Sequence, residues 1–198
     1  MLDLLALARL HVGPVGLRIQ AGECIGIQGR SGSGKSILLR MIADLDPHAG
    51  DCALDGAHCS AMPAPAWRRQ VTYVAADSGW WSADVAAHFP APAQTRPLLG
   101  RVGLPDDALD WPVARLSTGE SQRLALLRAI TPDNRVLLLD EPTSGLDPES
   151  RDGIESLLRE QLAAGTGIVL VTHDPGLAAR LGHRRFAMDD GRLREVPP

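Results

Sequence analysis

A glycine-rich loop between an apolar run and a helical pattern constrains the fold of this chain more than any other feature. Residues 24–28 form an apolar run of strand length, residues 29–36 hold three glycines, and residues 37–43 continue with apolar positions at helical spacing. A strand that passes through a tight loop into a helix is the first half of a βαβ unit. The sequence therefore predicts an α/β domain.

The length and composition are those of one compact domain. The chain has 198 residues, of which 44% are hydrophobic and 22% charged, so we expect a single domain with at most a small subdomain. A net charge of −4 argues against a sequence-independent nucleic-acid binder. No apolar run reaches the roughly 18 residues that span a membrane, and Asp3 stands where a signal peptide carries positive charge. We expect a cytoplasmic protein without a nucleic-acid partner.

The glycine-rich loop matches the phosphate-binding pattern G-x-x-x-x-G-K-[ST] at every position. Lys35 is the one lysine among the 20 lysine and arginine residues of the chain. A compact ammonium group fits beneath such a loop, whereas a guanidinium is a broad planar fork. Backbone amides and a helix N-terminus favour bound phosphate here. The predicted phosphate-binding residues are Gly29, Arg30, Ser31, Gly32, Ser33, Gly34, Lys35 and Ser36.

Two carboxylates follow a second apolar run that is typical of a strand buried on both faces. The run covers residues 136–139, and Asp140 and Glu141 come directly after it. Together with the Ser36 hydroxyl, Asp140 offers the hard oxygen ligands that Mg²⁺ prefers. Glu141 is the predicted general base or water-orienting group. The alternatives are a helix N-cap for Asp140 and a turn residue for Glu141.

Further elements are predicted along the chain. Residues 71–74 and 168–171 form short strands, and Asp–Pro pairs begin helices at Asp147 and Asp174. Residues 189–192 predict a hairpin turn. Between residues 77 and 115, prolines and three of the four tryptophans interrupt the helical patterns, which indicates a small inserted helical subdomain.

The order of these motifs resembles the ATP-binding cassette (ABC) family over nearly the whole chain. The glycine loop is followed by Leu-Ser-Thr-Gly-Glu-Ser-Gln-Arg at residues 116–123, Leu-Asp-Glu-Pro-Thr-Ser-Gly-Leu-Asp at residues 139–147, and His173. The resemblance implies a P-loop NTPase (RecA-like) parallel-sheet core with N-terminal antiparallel β strands and a short inserted helical subdomain. Residues 1–76 and 117–198 are the expected core, and residues 77–116 are the expected subdomain of one cassette.

The resemblance also implies the function of a transporter subunit. It implies ATP and Mg²⁺ as cofactors, ATP hydrolysis, and γ-phosphate contacts by His173 and, across a head-to-tail dimer, by Ser117 and Gly119 of the opposite cassette. The implied partner is a transmembrane permease subunit, which holds the cassette at the inner face of the cell membrane. From the residues alone, Ser117 or Thr118 and Asp147 are also helix N-caps.

Several positions depart from the family pattern. The signature reads Leu-Ser-Thr-Gly-Glu where Leu-Ser-Gly-Gly-Gln is usual, and Ala76 stands where a glutamine is expected. Asp77 is a candidate to reach the site through water. His11 either stacks on adenine or lies exposed. Of Trp80 and Trp81, one is expected in the subdomain core and the other as an exposed docking residue.

Two other functions fit part of this pattern. One is a soluble cassette ATPase of DNA repair or translation, but the coiled-coil arms, zinc cysteines and tandem cassettes of those families are missing from this sequence. The other is a nucleotide-dependent switch with weak hydrolysis, which Ala76 suggests. Glu141, rather than Gln or Asp, favours a hydrolysis-competent site.

Overall fold

Two β-sheets organise the chain, which a computed structural model describes for residues 1–197. Ten strands occur in chain order: β1 Leu2–Arg9, β2 Val12–Ile19, β3 Cys24–Gln28, β4 Ala49–Leu54, β5 Ala57–His58, β6 Val71–Val74, β7 Val136–Asp140, β8 Gly167–Val171, β9 Arg184–Asp189 and β10 Arg192–Val196. The six-stranded sheet has the order β10-β9-β3-β8-β7-β6, and the four-stranded sheet has the order β2-β1-β4-β5.

Five adjacent strands of the larger sheet, from β9 to β6, run parallel, as the apolar runs predict. Strand β3 pairs with β8 and β9, and β7 pairs with β8 and β6, all in parallel register. The carboxyl ends of β3, β6, β7 and β8 therefore meet along one edge, where ligands of open α/β sheets bind. The smaller sheet is antiparallel and is built mainly from the N-terminal residues.

Six α-helices connect and cover the strands: α1 Lys35–Ile42, α2 Ala64–Gln70, α3 Pro92–Thr95, α4 Thr118–Ala129, α5 Pro148–Ala163 and α6 Pro175–Leu181. The predicted Asp–Pro helix starts are present. Asp147 accepts a hydrogen bond from the Ser150 amide, and Asp174 accepts from the amides of Gly176 and Leu177. Because α5 begins at Pro148, the alternative of Asp140 as a helix N-cap is wrong.

The larger sheet separates two apolar clusters. Along β7, Val136 and Leu138 belong to one cluster and Leu137 and Leu139 to the other, as alternate residues of a strand must. All five residues of β7 are buried, which explains why its sequence is apolar on both faces. This burial fixes the position at which Asp140 leaves the sheet.

The segment between β6 and α4 contains only short helical pieces. Besides α3, it has five 3₁₀ turns: Val85–His88, Arg96–Leu98, Gly100–Val102, Ala108–Asp110 and Val113–Arg115. Its buried residues join the cluster that also contains residues of α4 and α5. The segment therefore packs on the same face of the larger sheet as α4 and α5. The bounds of the segment as a subdomain stay a prediction.

Within residues 1–197, every helix is too short or too polar to cross a membrane.

Candidate functional site

Both predicted carboxylates and five of the eight predicted loop residues line one cavity at the carboxyl edge of the parallel sheet, and Gly29, Arg30 and Ser33 do not line it. The cavity has a volume of about 290 Å³. It lies at the ends of β3, β6, β7 and β8 and the start of α1, the place that the sheet topology favours for a ligand. Its lining consists of Ser31, Gly32, Gly34, Lys35, Ser36, Ile37, Ala76, Asp140, Glu141 and His173.

Lys35 is held beneath the loop by the loop's own carbonyl groups. Its Nζ donates hydrogen bonds to the carbonyl oxygens of Gly29, at 2.7 Å, and Arg30, at 3.0 Å. The side chain is buried, and no carboxylate lies within 4.0 Å of its ammonium among the described residues. A buried ammonium without a counter-ion is a favourable place for a phosphate.

A backbone hydrogen bond joins the glycine-rich loop to the hairpin between β9 and β10. The Gly191 amide donates to the carbonyl of Ser33 at 3.1 Å. Gly191 and its neighbour Asp190 both have positive φ, 74° and 43°, which fits the predicted two-residue hairpin turn. A methyl group on Gly191 would lie 1.8 Å from the carbonyl oxygen of His11. Only glycine therefore allows this turn to lie so close to His11, in the turn between β1 and β2.

Asp140 ends β7 as a buried carboxylate with a single side-chain donor. The Tyr73 hydroxyl donates to its Oδ2 at 3.1 Å. No lysine, arginine or histidine nitrogen lies within 4.0 Å of Asp140 anywhere in residues 1–197. Burial, and then the neighbouring Asp140 carboxylate, raise the pKa of Tyr73, so the hydroxyl stays protonated and donates. Tyr73 was not predicted from the sequence.

Glu141 has a strained backbone that is held from two sides. Its φ is 53°, a left-handed value that costs a non-glycine residue of order 1–3 kcal/mol. Its amide donates to the carbonyl of Val171 at 2.9 Å, and its carbonyl accepts from the side chain of Gln122. Gln122, on α4, was likewise not predicted. Strain of this kind persists where surrounding contacts fix a functional residue.

Glu141 and His173 meet at the mouth of the cavity. The Glu141 Oε2 accepts from the His173 amide at 3.1 Å, and Oε1 lies 3.5 Å from the imidazole Nε2. Among residues 1–197, the Glu141 Oε1 and Ser33 Oγ atoms are buried without a hydrogen-bond partner. Glu141 lines the cavity, so its Oε1 is a position for a ligand or water contact, whereas Ser33 is not part of the lining.

These features fit the implied Mg²⁺ and ATP. Asp140 is a buried carboxylate that lacks a cationic partner, and burial of such a charge is costly until a cation neutralises it. Ser36 lines the same cavity and supplies the second hard oxygen. On the loop side, the Lys35 ammonium supplies charge for phosphate. The donor set therefore suits a divalent ion beside a polyphosphate.

The signature residues lie away from this cavity. Ser117 is the N-cap of α4 and forms a reciprocal capping box with Glu120. Its amide donates to Glu120 Oε2 at 2.8 Å, and this contact lowers the pKa of Glu120. The predicted capping role of Ser117 is present, and both Ser117 and Gly119 are absent from the residues around the cavity.

A match to a family model identifies the protein family of this chain. The family model described as "ABC transporter" matches residues 12–144, which include the loop, the signature and both carboxylates. The chain belongs to the ABC transporter family. The predicted family membership is thereby confirmed. The relatives below show how far the likeness to known ABC proteins extends.

Two curated ABC relatives and one solved structure illustrate the likeness. The Fe(3+) ions import ATP-binding protein FbpC of Streptomyces coelicolor is 40% identical over 94% of this chain and 57% of its own length. The lipoprotein-releasing system ATP-binding protein LolD 1 of Caulobacter vibrioides is 36% identical over 90% of this chain and 84% of its own. The dimeric cassette MJ0796 bound to ADP and Pi has a TM-score of 0.79, 25% identity and full coverage of both chains. These likenesses confirm the predicted fold class.

The residues that depart from the ABC pattern differ in whether they line the loop cavity and in how exposed they are. Ala76 lines the cavity and presents no polar side-chain atom to it, whereas Asp77 is exposed and is not part of the lining. His11 is exposed, and a methyl group on Gly34 would lie 3.4 Å from its Nε2. His11 is therefore both exposed and next to the loop, and its stacking on adenine stays a prediction.

The two adjacent tryptophans have different environments. Trp80 is half-buried, and its Nε1 donates to Ser121 Oγ of α4 at 2.7 Å, whereas the Trp81 side chain is 74% exposed. The Arg128 guanidinium lies 4.7 and 4.9 Å from their ring centroids, and burial lowers its pKa. Arg128 also lines a larger groove of about 700 Å³. The ABC cassette thus has a second concave surface, which shares no lining residue with the loop cavity.

Proposed function

We propose that this ABC cassette binds ATP at the glycine-loop cavity and hydrolyses it to drive a separate membrane-spanning partner. One observation carries this function: the loop lysine, the carboxylates at the end of β7 and directly after it, and the histidine after β8 line a single cavity. A phosphate loop alone would support binding. The additional carboxylate beside it supports hydrolysis.

Binding is assigned to the loop and the start of α1. The amides of residues 29–36 and the positive N-terminus of α1 face the phosphates, with Arg30, Ser31, Gly32 and Ser33 contributing backbone contacts. Lys35 exchanges its hydrogen bonds to the carbonyls of Gly29 and Arg30 for contacts with the β- and γ-phosphates. The ammonium needs no further desolvation for this exchange, because it is already buried.

Ser36 and Asp140 are the residues that would hold Mg²⁺. When bound there, the ion neutralises phosphate charge during hydrolysis. The Ser36 hydroxyl lies at the second position of α1, and the Asp140 carboxylate lies at the end of β7. Both residues line the cavity, and both supply oxygen ligands.

Glu141 is the proposed base for the attacking water. Its Oε1 is buried without a hydrogen-bond partner among residues 1–197, so it can accept a proton or orient a water molecule at the cavity mouth. His173, whose Nε2 lies 3.5 Å away, is proposed to contact the γ-phosphate. The strained backbone and the contacts with Val171 and Gln122 hold Glu141 in position.

The site is proposed to be completed by a second copy of the cassette. Ser117 and Gly119 are outside the loop cavity of their own chain, and Ser117 is exposed at the start of α4. In a head-to-tail pair, they meet the γ-phosphate that is bound to the opposite loop. The solved structure of MJ0796 is itself described as dimeric.

The Glu141→Gln variant tests this function. Without its base, the cassette retains ATP, and the pair cannot separate by hydrolysis. We expect a dimer by size exclusion with light scattering when ATP and Mg²⁺ are present, and a monomer with ADP. Phosphate release, measured in parallel, is expected to fall at least about 100-fold.

The matched control is Glu149→Gln, the same change at an exposed acid in the first turn of α5. This control is expected to hydrolyse ATP like the wild type and to show no trapped dimer. A Glu141→Gln protein that binds ATP and stays monomeric would contradict the paired site. Wild-type protein that binds ATP without releasing phosphate would instead favour a nucleotide-dependent switch.

The proposed partner is a transmembrane permease subunit, which would place the cassette at the inner face of the cell membrane. The relatives' names describe import and lipoprotein-releasing systems. The surface proposed for this contact is a groove of about 300 Å³ that exposed Trp81 and Arg128 both line. A large exposed aromatic next to a concave surface is suited to a protein interface.

A further inference from the structure

We infer that Tyr73 is a positioning residue for the ion site, because its hydroxyl fixes the orientation of the Asp140 carboxylate. This inference rests on the proposed ATP and Mg²⁺ site. It assigns a role to a residue outside the glycine loop and outside the carboxylate motif. The role is exerted through Asp140 and not by contact with nucleotide.

The sheet brings the two side chains together. Tyr73 lies on β6 and pairs with Leu138 of β7 in parallel register, so Asp140 lies two residues farther toward the carboxyl edge. Side chains two positions apart on a strand point to the same face. The phenol ring therefore extends along the sheet from the level of Leu138 to that of Asp140, and its hydroxyl lies 3.1 Å from Asp140 Oδ2.

The hydrogen bond leaves the other carboxylate oxygen for an ion. Tyr73 is the only side chain that donates to Asp140 within the described part of the chain, and this bond engages Oδ2. The second oxygen, Oδ1, accepts no side-chain hydrogen bond there. A carboxylate held at one oxygen has a defined direction for its remaining lone pairs. Groups that orient a metal ligand in this way commonly change metal affinity by about 10- to 100-fold.

No neighbouring side chain in the described part of the chain substitutes for this contact. Ala76 follows β6 and lines the cavity with an apolar methyl group. Arg40 and Asp46 form their ion pair with each other. Residues 71–76 thus contribute one polar side chain to Asp140, and that side chain is Tyr73.

The test separates the ion's contribution from nucleotide binding. The dissociation constant of a fluorescent N-methylanthraniloyl ATP is measured with Mn²⁺ and again with EDTA, for wild type and for Tyr73→Phe. The gain in affinity that Mn²⁺ gives is expected to be about tenfold smaller in the variant. Affinity in EDTA is expected to stay within about twofold, because the loop and Lys35 are unchanged.

The matched control is Ser78→Ala, which removes a hydroxyl from the same connecting segment. Ser78 Oγ donates to the carbonyl of Ala75 and not to Asp140. Its Mn²⁺ gain is expected to equal that of the wild type. Thermal unfolding of each variant checks that the sheet is intact, and Tyr73→Met provides a second variant without a hydroxyl if the Phe protein melts early.

The outcomes are distinguishable. An equal Mn²⁺ gain in wild type and in folded Tyr73→Phe overturns the positioning role. Weakening by the same factor with Mn²⁺ and with EDTA also overturns it, because the hydroxyl then supports the pocket and not the ion. Wild-type protein that binds no ATP in either condition contradicts the proposed function itself.

Discussion

At the scale of one residue, the backbone of the glycine-rich loop determines where the charge of Lys35 lies. The ammonium lies under the loop, 2.7 Å from the Gly29 carbonyl and 3.0 Å from that of Arg30. Both acceptors are backbone atoms, so the position of the charge depends on the path of the loop. A side chain of another shape must move that path or leave the pocket.

Lys35→Arg tests the shape requirement. The substitution keeps the charge, but the broad planar guanidinium does not fit the space that the compact ammonium group of lysine occupies. We expect the dissociation constant for ATP to rise at least about tenfold, a change of roughly 1.4 kcal/mol. Isothermal titration calorimetry with Mg²⁺-free and Mg²⁺-bound ATP measures the effect.

The control exchanges the same two residue types in the opposite sense. Arg30→Lys changes an exposed side chain of the loop, whose carbonyl alone contacts Lys35. Its ATP affinity is expected to match the wild type. A Lys35→Arg protein with a normal ATP dissociation constant would show that charge, and not shape, is what the loop requires.

The sequence predicted most of the residues around the cavity, because they occur in short contiguous motifs. Lys35, Asp140 and Glu141 belong to such motifs, and the structure brings them to one cavity. Tyr73 and Gln122 were missed. Tyr73 contacts Asp140 across 67 positions, and Gln122 contacts Glu141 across 19. Nothing in the local pattern of either residue distinguishes such a contact from ordinary strand or helix packing.

At the scale of elements, segments that depend on local interactions were predictable from the sequence, and segments that depend on tertiary packing were not. The starts of α5 and α6 were predicted from Asp–Pro pairs, because capping is a local interaction. The segment between β6 and α4 gave no such signal beyond its prolines. Its 3₁₀ turns are stabilised by packing against α4 and α5, and tertiary packing is not encoded in a short window.

This segment presents Trp81, and its exposure leads to a prediction. If the groove beside Arg128 receives the permease, Trp81→Ala removes much of the apolar contact while ATP binding stays unchanged. We expect the fraction of cassette that sediments with membranes of cells expressing the intact system to fall about fivefold, the effect of losing an interface anchor worth roughly 1 kcal/mol. Quantitative immunoblotting of sedimented membranes provides the measurement.

Leu10→Ala is the matched control for this experiment. Leu10 is 80% exposed, and it lies in the turn between β1 and β2 on the other sheet. Its loss is expected to leave membrane association unchanged. Equal sedimentation of wild type and Trp81→Ala would remove Trp81 from the proposed contact.

At the scale of the whole molecule, the apolar core holds three free thiols. Cys24, Cys52 and Cys59 are all buried. Burial is the largest cause that raises the pKa of Cys24 to about 12 and that of Cys59 to about 12. Burial also raises the pKa of Cys52. The native core therefore keeps all three thiols protonated at neutral pH.

These thiols predict a loss of stability in alkali. Between the unfolded thiol pKa near 9 and pH 12, the unfolded chain releases protons that the folded chain keeps. The unfolded state then binds fewer protons, so the free energy of unfolding falls as pH rises. For Cys24 alone, the slope approaches about 1.4 kcal/mol per pH unit. Urea unfolding between pH 7.5 and 10.5, monitored by tryptophan fluorescence, measures this slope.

A variant with all three cysteines changed to alanine is the comparison. It is expected to be less stable at pH 7.5, because it loses core volume, and to show a flatter decline above pH 9. A parallel decline in both proteins would assign the alkaline sensitivity to groups other than the thiols.

The contact between Gly191 and Ser33 sets an order of events during synthesis. The loop residues leave the ribosome early, yet the amide that engages the Ser33 carbonyl belongs to the hairpin between β9 and β10. The two positions are 158 residues apart (191 − 33), which corresponds to about 8 to 32 s at common translation rates. A nascent cassette therefore holds an incompletely supported phosphate loop until the turn between β9 and β10 has been made. Its nucleotide site matures only after that hairpin is available.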